Sequence, residues 1–276
     1  VIVIYLSFWL SSRQDTLNDL QLALIPLGVI LGVTFMLIML QPDLSAAVTV
    51  LLLGGILLFL AGCDWKIIMI IMALALVGGL PLVFIYPTGR LRMSAYLTGF
   101  NNPLESSYHI QRSLEAVVKG GWFGVGIGQA DTKFTGLPLA PTDSIFAVVA
   151  EETGILGGLF LVLMFCLLIW RGLVIAKNAP DQLGSLIAFG LTTWISMEAL
   201  MNMAVLVGLL PFTGNALPFI SAGGSSMVVT LTSIGIIMNI SKASMAQKSS
   251  ERSSRSAVVD LRRRDGRGSV PRTYRS

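Results

Sequence analysis

The chain has 276 residues, 54% hydrophobic and only 12% charged, with a formal net charge of +4; its mean hydropathy is +0.78. A soluble domain carries about 25% charged residues, so this composition excludes a soluble globular domain, a disordered chain and a coiled coil. The two cysteines, Cys63 and Cys166, lie in separate apolar runs, where a thiol behaves as a small hydrophobe, and they exclude a disulfide scaffold. What remains is an all-α, polytopic membrane helical bundle.

A span needs about 20 mostly apolar residues. In chain order, six stretches meet that: 22–40, 44–62, 67–86, 154–175, 185–210 and 223–240. A seventh run, Val1 to Leu10, is short, starts without a methionine and reads as the end of a span whose beginning is missing. It lacks the basic leader and the small-residue cleavage site of a signal peptide. Four regions follow: spans over 1–86, a long extracytoplasmic loop over 87–143, further spans over 144–240, and a basic, disordered cytoplasmic tail over 241–276.

Residues 241–276 hold ten Lys/Arg and three Asp/Glu, net +7, against net −3 for the rest. The run Arg262-Arg263-Arg264 follows a final span, which favours cytoplasmic retention and contact with anionic lipid over nucleic acid. The tail, Arg171 with Lys177, Lys66 and Arg13 all fall on one side of these spans, and the positive-inside rule makes that side cytoplasmic. The link at Gln41-Pro42-Asp43, loop 87–143 and the turn Pro211–Ser226 then face outward.

Within the long loop, Ile110, Leu114, Val117 and Val118 recur at helical spacing opposite Gln111, Arg112, Glu115 and Lys119. That pattern predicts an amphipathic helix over Tyr108–Val118, lying at the outer interface. A glycine ladder follows at 120, 121, 124, 126 and 128, which permits sharp turns and close approach of backbone to a ligand. It superficially resembles a dinucleotide fingerprint, but no strand precedes it. His109 is the chain's single histidine and reads as a surface residue.

Pro141 and Thr142 suit a helix start, with Thr142 a candidate cap and Asp143 in the first turn, at the edge of the membrane. A carboxylate so placed can accept a proton from a substrate hydroxyl held near the lipid surface. From the residues alone, an Asp that merely stabilises a helix N-terminus is the commoner occupant of such a position. Glu151 and Glu152 lie about two turns further along, too far for a paired-carboxylate site, and suit binding of basic residues or ordering of the loop. Glu198 sits inside span 185–210 with Asn202 one turn on; a functional group and a hydrogen-bonded structural Glu fit equally.

Several motifs occur in one order: Gln41-Pro42-Asp43-Leu44, Tyr108-x-x-Gln111-x-Ser113, Trp122-Phe123-Gly124-Val125-Gly126, Leu137-Pro138 to Thr142-Asp143, Ala150-Glu151-Glu152-x-Gly154, and Pro218-Phe219-Ile220-Ser221-x-Gly223-Gly224-Ser225-Ser226. Together, from Val1 to about Lys242, they resemble the SEDS family (shape, elongation, division and sporulation), which includes FtsW, RodA and SpoVE. The resemblance implies a ten-span fold, of which this chain would lack the first three spans. It implies an inverting peptidoglycan glycosyltransferase in the bacterial inner (plasma) membrane, joining lipid II into lipid-linked glycan strands at the outer face. The partners it implies are a class B penicillin-binding protein that cross-links the strands, and other cell-division proteins.

By that resemblance Asp143 is the general base on the acceptor sugar's 4-hydroxyl. Arg90, Arg92, Gln111, Lys119 and Lys133 are the candidate substrate-binding residues, the cations answering the charge of the pyrophosphate leaving group; their alternative is contact with lipid headgroups. Glu151, Glu152, Pro42, Asp43, Ser225 and Ser226 belong to the matching motifs as supports of the site. No carboxylate cluster specifies a metal, although a divalent cation (Mg or Mn) could share the charge compensation. Ser45, Pro141, Ser144, Glu198 and Ala222 depart from the family's usual glycine, histidine, phenylalanine, glutamine and tyrosine. The Gly-Gly-Ser-Ser turn, Asn239 and the basic tail incline to the division branch. Rival readings are a lipid II flippase and a non-catalytic divisome scaffold.

Overall fold

The structure is a computed structural model and describes residues 1–13, 25–41, 43–101 and 106–265. Among the described residues nine helices run in order: α1 Ile2–Ser11, α2 Ile25–Leu40, α3 Leu44–Leu60, α4 Trp65–Ile85, α5 Pro87–Asn101, α6 Tyr108–Gly120, α7 Ile145–Lys177, α8 Gln182–Leu206 and α9 Gly224–Asp265. There is no strand among the described residues. Three of the helices are long and apolar enough to cross a membrane: Ile145–Lys177, Gln182–Leu206 and the Gly224–Ser250 part of α9. Four shorter apolar helices, Ile2–Ser11, Ile25–Leu40, Ser45–Leu60 and Trp65–Gly79, accompany them.

Helix α8 is the hub, packed on α1, α3, α6, α7 and α9. Leu6 and Leu10 of α1, Leu53 and Leu57 of α3, Leu191 of α8 and Ile237 of α9 share one buried cluster. A second cluster joins α7 to α8 through Phe146, Phe165, Ala199, Met203 and Leu206. Lipid tails are as apolar as leucine, so helices in a bilayer meet through close packing and small residues rather than hydrophobic burial. Gly190 shows this: a β-carbon there would stand 2.6 Å from Val3 Cγ1. Outward, α7 presents Leu159, Phe160, Leu163, Leu167 and Trp170, all exposed, as a lipid-facing surface requires.

Three expectations change. The stretch 87–101, expected as loop, is helix α5; Pro87 occupies its first helical position, where a missing N–H costs nothing. Helix α6 does not lie free at an interface but packs on α7, burying Ile110, Ser113, Ala116 and Gly120. The basic tail, expected disordered, is helical as far as Asp265. Its first turns are tied down, because Ser244 Oγ donates to the Asn178 carbonyl and Lys248 Nζ lies 3.0 Å from Asn178 Oδ1. Those contacts satisfy acceptors where α7 ends, which a basic side chain there does well. Residues 22–24 of the first complete span, Pro42 and residues 266–276 lie outside the described residues.

Candidate active site

The site begins with a cut in a helix. At Gly154 the backbone of α7 leaves helical geometry (φ +72°, ψ −175°) and then resumes it. Such a cut orphans carbonyls before it and N–H groups after it, and near lipid each orphan is expensive. The glycine ladder supplies the partners. Val125 and Gly126 N–H donate to the Glu151 and Glu152 carbonyls, both at 3.0 Å. Ile155 and Leu156 N–H donate to the Gly121 and Trp122 carbonyls at 2.9 and 3.3 Å. A β-carbon at Gly124 (φ +81°) would collide with the Glu152 carbonyl, and one at Gly154 with that of Trp122. The close approach that the glycines permit is therefore to α7 itself.

Side chains extend the clamp. Glu151 is buried (1% exposed). Its carboxylate accepts from the Asp131 and Thr132 N–H groups at 3.2 and 3.4 Å and from the Thr132 hydroxyl. Glu152 pairs with Lys133 at 2.9 Å, and Lys133 also donates to the Gly128 carbonyl at 3.0 Å. Lys119 pairs with Glu115 at 3.1 Å on the outer face of α6. These two lysines already carry carboxylate partners. Gln111 Nε2 donates to the Ser106 carbonyl at 2.8 Å, within its own helix entry.

The turn before α7 differs from its expected form. The helix begins at Ile145 with Ser144 as N-cap, so Thr142 does not cap it and Asp143 stands just outside the first turn. Leu139 adopts φ +50°, and the Thr142 and Ser144 N–H groups both donate to its carbonyl. The segment after α8 is stitched to this turn. Ser221 Oγ donates to the Thr142 carbonyl at 2.6 Å and Ala222 N–H to that of Pro141 at 2.9 Å. From α8, Asn202 Nδ2 lies 2.8 Å from the Asp143 carbonyl and 2.5 Å from that of Asn215. At the head of α3, Asp43 Oδ1 accepts from Ala46 N–H and Ser45 Oγ, and Ser45 Oγ approaches the Thr213 carbonyl at 3.5 Å. The three connections expected on one side of the membrane thus meet at one end of the bundle.

Asp143 is half-buried in that meeting point. A β-carbon on Gly214 would stand 3.5 Å from its Oδ2 and 3.9 Å from Phe212 Cε1. His109 of α6 stacks on the Phe212 ring at 4.2 Å between centroids, and Arg92 of α5 approaches the same ring at 5.8 Å. Burial raises the Asp143 pKa, while a hydrogen bond with Thr142 and the charge of His109 pull it down. Burial lowers the His109 pKa; Asp143 raises it and Arg92 lowers it. The result is a carboxylate more basic than a free aspartate, beside an imidazole less basic than a free histidine.

Of the sequence candidates, Asp143 and Arg92 both border the His109–Phe212 pair, and Asp43 reaches the same segment through Ser45 and Thr213. Arg90 is exposed on α5. Ser225 and Ser226 line a cavity of about 280 Å³ with Glu198 and Trp194, and Pro42 lies outside the described residues. His109 and Phe212 were missed, since a lone histidine in a loop helix carries no pairing signal in sequence. Among the described residues, no three His, Cys, Asp or Glu side chains converge as a metal site.

A family model for the FtsW/RodA/SpoVE cell cycle proteins matches residues 1–246. The chain belongs to that family, a membrane helical bundle of the SEDS type. It is 37% identical to stage V sporulation protein E of Bacillus subtilis (strain 168), covering 88% of this chain and 66% of the relative. It is 38% identical to "Probable peptidoglycan glycosyltransferase FtsW" of Geobacter sp. (strain M18), covering 87% of this chain and 65% of that protein. The chain thus spans just under two thirds of the length of these relatives. Its fold matches a chain from a peptidoglycan synthase complex described as coordinating polymerization and crosslinking, with TM-score 0.68, 24% identity, and coverage of 88% and 68%. It also matches the rod shape determining protein RodA of Thermus thermophilus, with TM-score 0.54, 22% identity, and coverage of 87% and 64%.

Proposed function

We propose that this chain is the membrane body of a peptidoglycan glycosyltransferase that polymerises lipid II at the outer face of the bacterial inner membrane. The observation that carries this reading is the half-buried Asp143 carboxylate, held by backbone contacts to two other segments at one end of the bundle. In the proposed reaction Asp143 removes the proton from the acceptor sugar's 4-hydroxyl. That oxygen bonds to the anomeric carbon of the lipid-linked donor from the face opposite the leaving group, so the configuration inverts. The bond from that carbon to the pyrophosphate oxygen breaks, and the lipid pyrophosphate leaves with the electron pair. A base with a raised pKa is better matched to a sugar hydroxyl than an ordinary aspartate.

Arg92, over the Phe212 ring beside Asp143, is assigned to the pyrophosphate; Arg90, two residues away on α5, is a second contact for the same group. Lys119 and Lys133, engaged by carboxylates, serve instead to hold α6 and the glycine-rich segment. Names of relatives support the activity, and likeness to a synthase complex supports a class B penicillin-binding protein as partner. The basic C-terminal helix supports the division branch, with that helix in the cytoplasm.

The test is conversion of purified lipid II by the protein with its transpeptidase partner. Glycan strands of many repeats are expected. Movement of labelled lipid II across liposomes without polymer would replace this reading with a transporter.

A further inference from the structure

The glycine-rich segment clamped across the α7 break carries side chains that the proposed chemistry does not use. Trp122 and Phe123 are 67% and 83% exposed, and Ile127 is 86% exposed. Residues 120–130 contain no charged side chain. Contiguous exposed apolar surface marks a membrane or protein contact. Its position says which. Leu156 N–H bonds to the Trp122 carbonyl and Ile155 N–H to that of Gly121. The exposed residues Ile155, Leu156, Leu159 and Phe160 then continue down α7 as its lipid-facing surface. From Leu156 to Lys177 the helix rises about 32 Å, against about 30 Å of hydrocarbon. One membrane boundary therefore falls at the Gly154 break, beside Trp122 and Phe123. The opposite boundary then falls near Lys177, with Trp170 and Arg171 about 10 Å inside it, close enough for long side chains to reach the interface. Aromatic side chains concentrate at such boundaries. Beside the break, Lys133 and Glu152 neutralise each other and the Glu151 carboxylate is satisfied by the Asp131 and Thr132 N–H groups, as charges near hydrocarbon must be.

We propose that Trp122 and Phe123 insert into the lipid interface, making the clamped glycine-rich segment a collar that fixes how far Asp143 stands above the bilayer. The α7 segment from Ile145 to Gly154 then lifts the carboxylate by up to about 13 Å, its rise along its own axis, and the clamp keeps that distance constant. A base at fixed height meets only hydroxyls that an anchored substrate presents at that height. The occupant of the collar is lipid, because its surface is continuous with the lipid-facing side of α7.

The test places a nitroxide at Phe123→Cys, in a Cys166→Ala background, in the native protein reconstituted with its partner in vesicles. Asp131→Cys is the water-facing reference. Collision with oxygen but not with an aqueous nickel chelate is expected at 123, and the reverse at 131. Access of the chelate to 123 would overturn the proposal, and so would shielding from both reagents, which would assign the patch to a protein partner. A second arm rests on the glycosyltransferase reading. The double variant Trp122→Ser/Phe123→Ser should lose polymerisation several-fold in vesicles and keep the wild-type rate in detergent, where no lipid plane sets the height. Equal loss in both media would overturn the role in height. If the unmodified protein is inactive, the functional reading fails while the nitroxide still decides the anchor.

Discussion

Asp143 is subject to opposed influences, and their balance makes its role measurable. Burial favours its neutral form, and the nearby imidazole favours its anion. A base works only when ionised, so kcat/KM should fall as pH drops through the raised pKa of Asp143, an acid limb at higher pH than a free aspartate would give. His109→Phe preserves a ring on Phe212 but removes the imidazolium that stabilises the carboxylate. Its acid limb should move to still higher pH, as read from a pH–rate profile; a uniform drop at all pH values would mean that His109 only packs. The charged groups facing His109 are Asp143 and Arg92, with Arg112 and Glu115 paired to each other at 2.6 Å on its own helix. At this scale Asp143 was legible in the sequence as a carboxylate ahead of a span. Its neighbours were not, because His109, Phe212 and Arg92 are separated along the chain and meet only when α5, α6 and the 211–223 segment fold together.

The break in α7 is the element on which the site's geometry depends, and it yields two stability predictions. Gly154→Ala puts a β-carbon into the Trp122 carbonyl and a side chain at φ +72°. It should cost at least about 1–3 kcal/mol, seen as a lower thermal midpoint in detergent, whereas Gly235→Ala in α9, where a β-carbon meets nothing within 4 Å, should leave the midpoint unchanged or raise it, a gain of up to about 1 kcal/mol. Glu151→Ala would leave two N–H groups and the Thr132 hydroxyl without their acceptor, at about 1–3 kcal/mol for a buried group so stranded; an unchanged midpoint would contradict its role in ordering the loop. The sequence placed a helix start at Pro141–Thr142 and a span from Gly154, with no break read between them. The partner of that glycine could not be read, because backbone-to-backbone stitching leaves no residue-type signature. Helix α5 was missed for want of an apolar stripe, although Pro87 followed by Arg90, Leu91, Arg92 and Met93 is a helix-start pattern. The last helix was stopped at 240 on hydropathy alone, yet Ala243, Met245, Ala246, Gln247 and Lys248 are good helix formers with no glycine or proline among them.

For the whole molecule, hydropathy points to the architecture, since uninterrupted apolar runs of about 20 residues shield their backbone as helices, not as the alternating strands of a barrel. Which helices touch, and that α8 is the hub, was beyond reach, because lipid-facing and helix-facing surfaces are both apolar and give no amphipathic contrast. Orientation is a prediction at this scale. In intact cells, in a Cys166→Ala background, Gln129→Cys should react with a membrane-impermeant maleimide, and Ala246→Cys only after permeabilisation; the reverse pattern would put the site on the wrong side for an exported precursor.

The most direct measurement is polymerisation of purified lipid II by the protein and its partner carrying Asp143→Asn, a change that keeps the shape of the side chain and removes its basicity. Loss of glycan product with an intact complex and an unchanged thermal midpoint is expected. Product at the wild-type rate would show that the proton of the sugar hydroxyl goes elsewhere, and the proposed chemistry would fall with it.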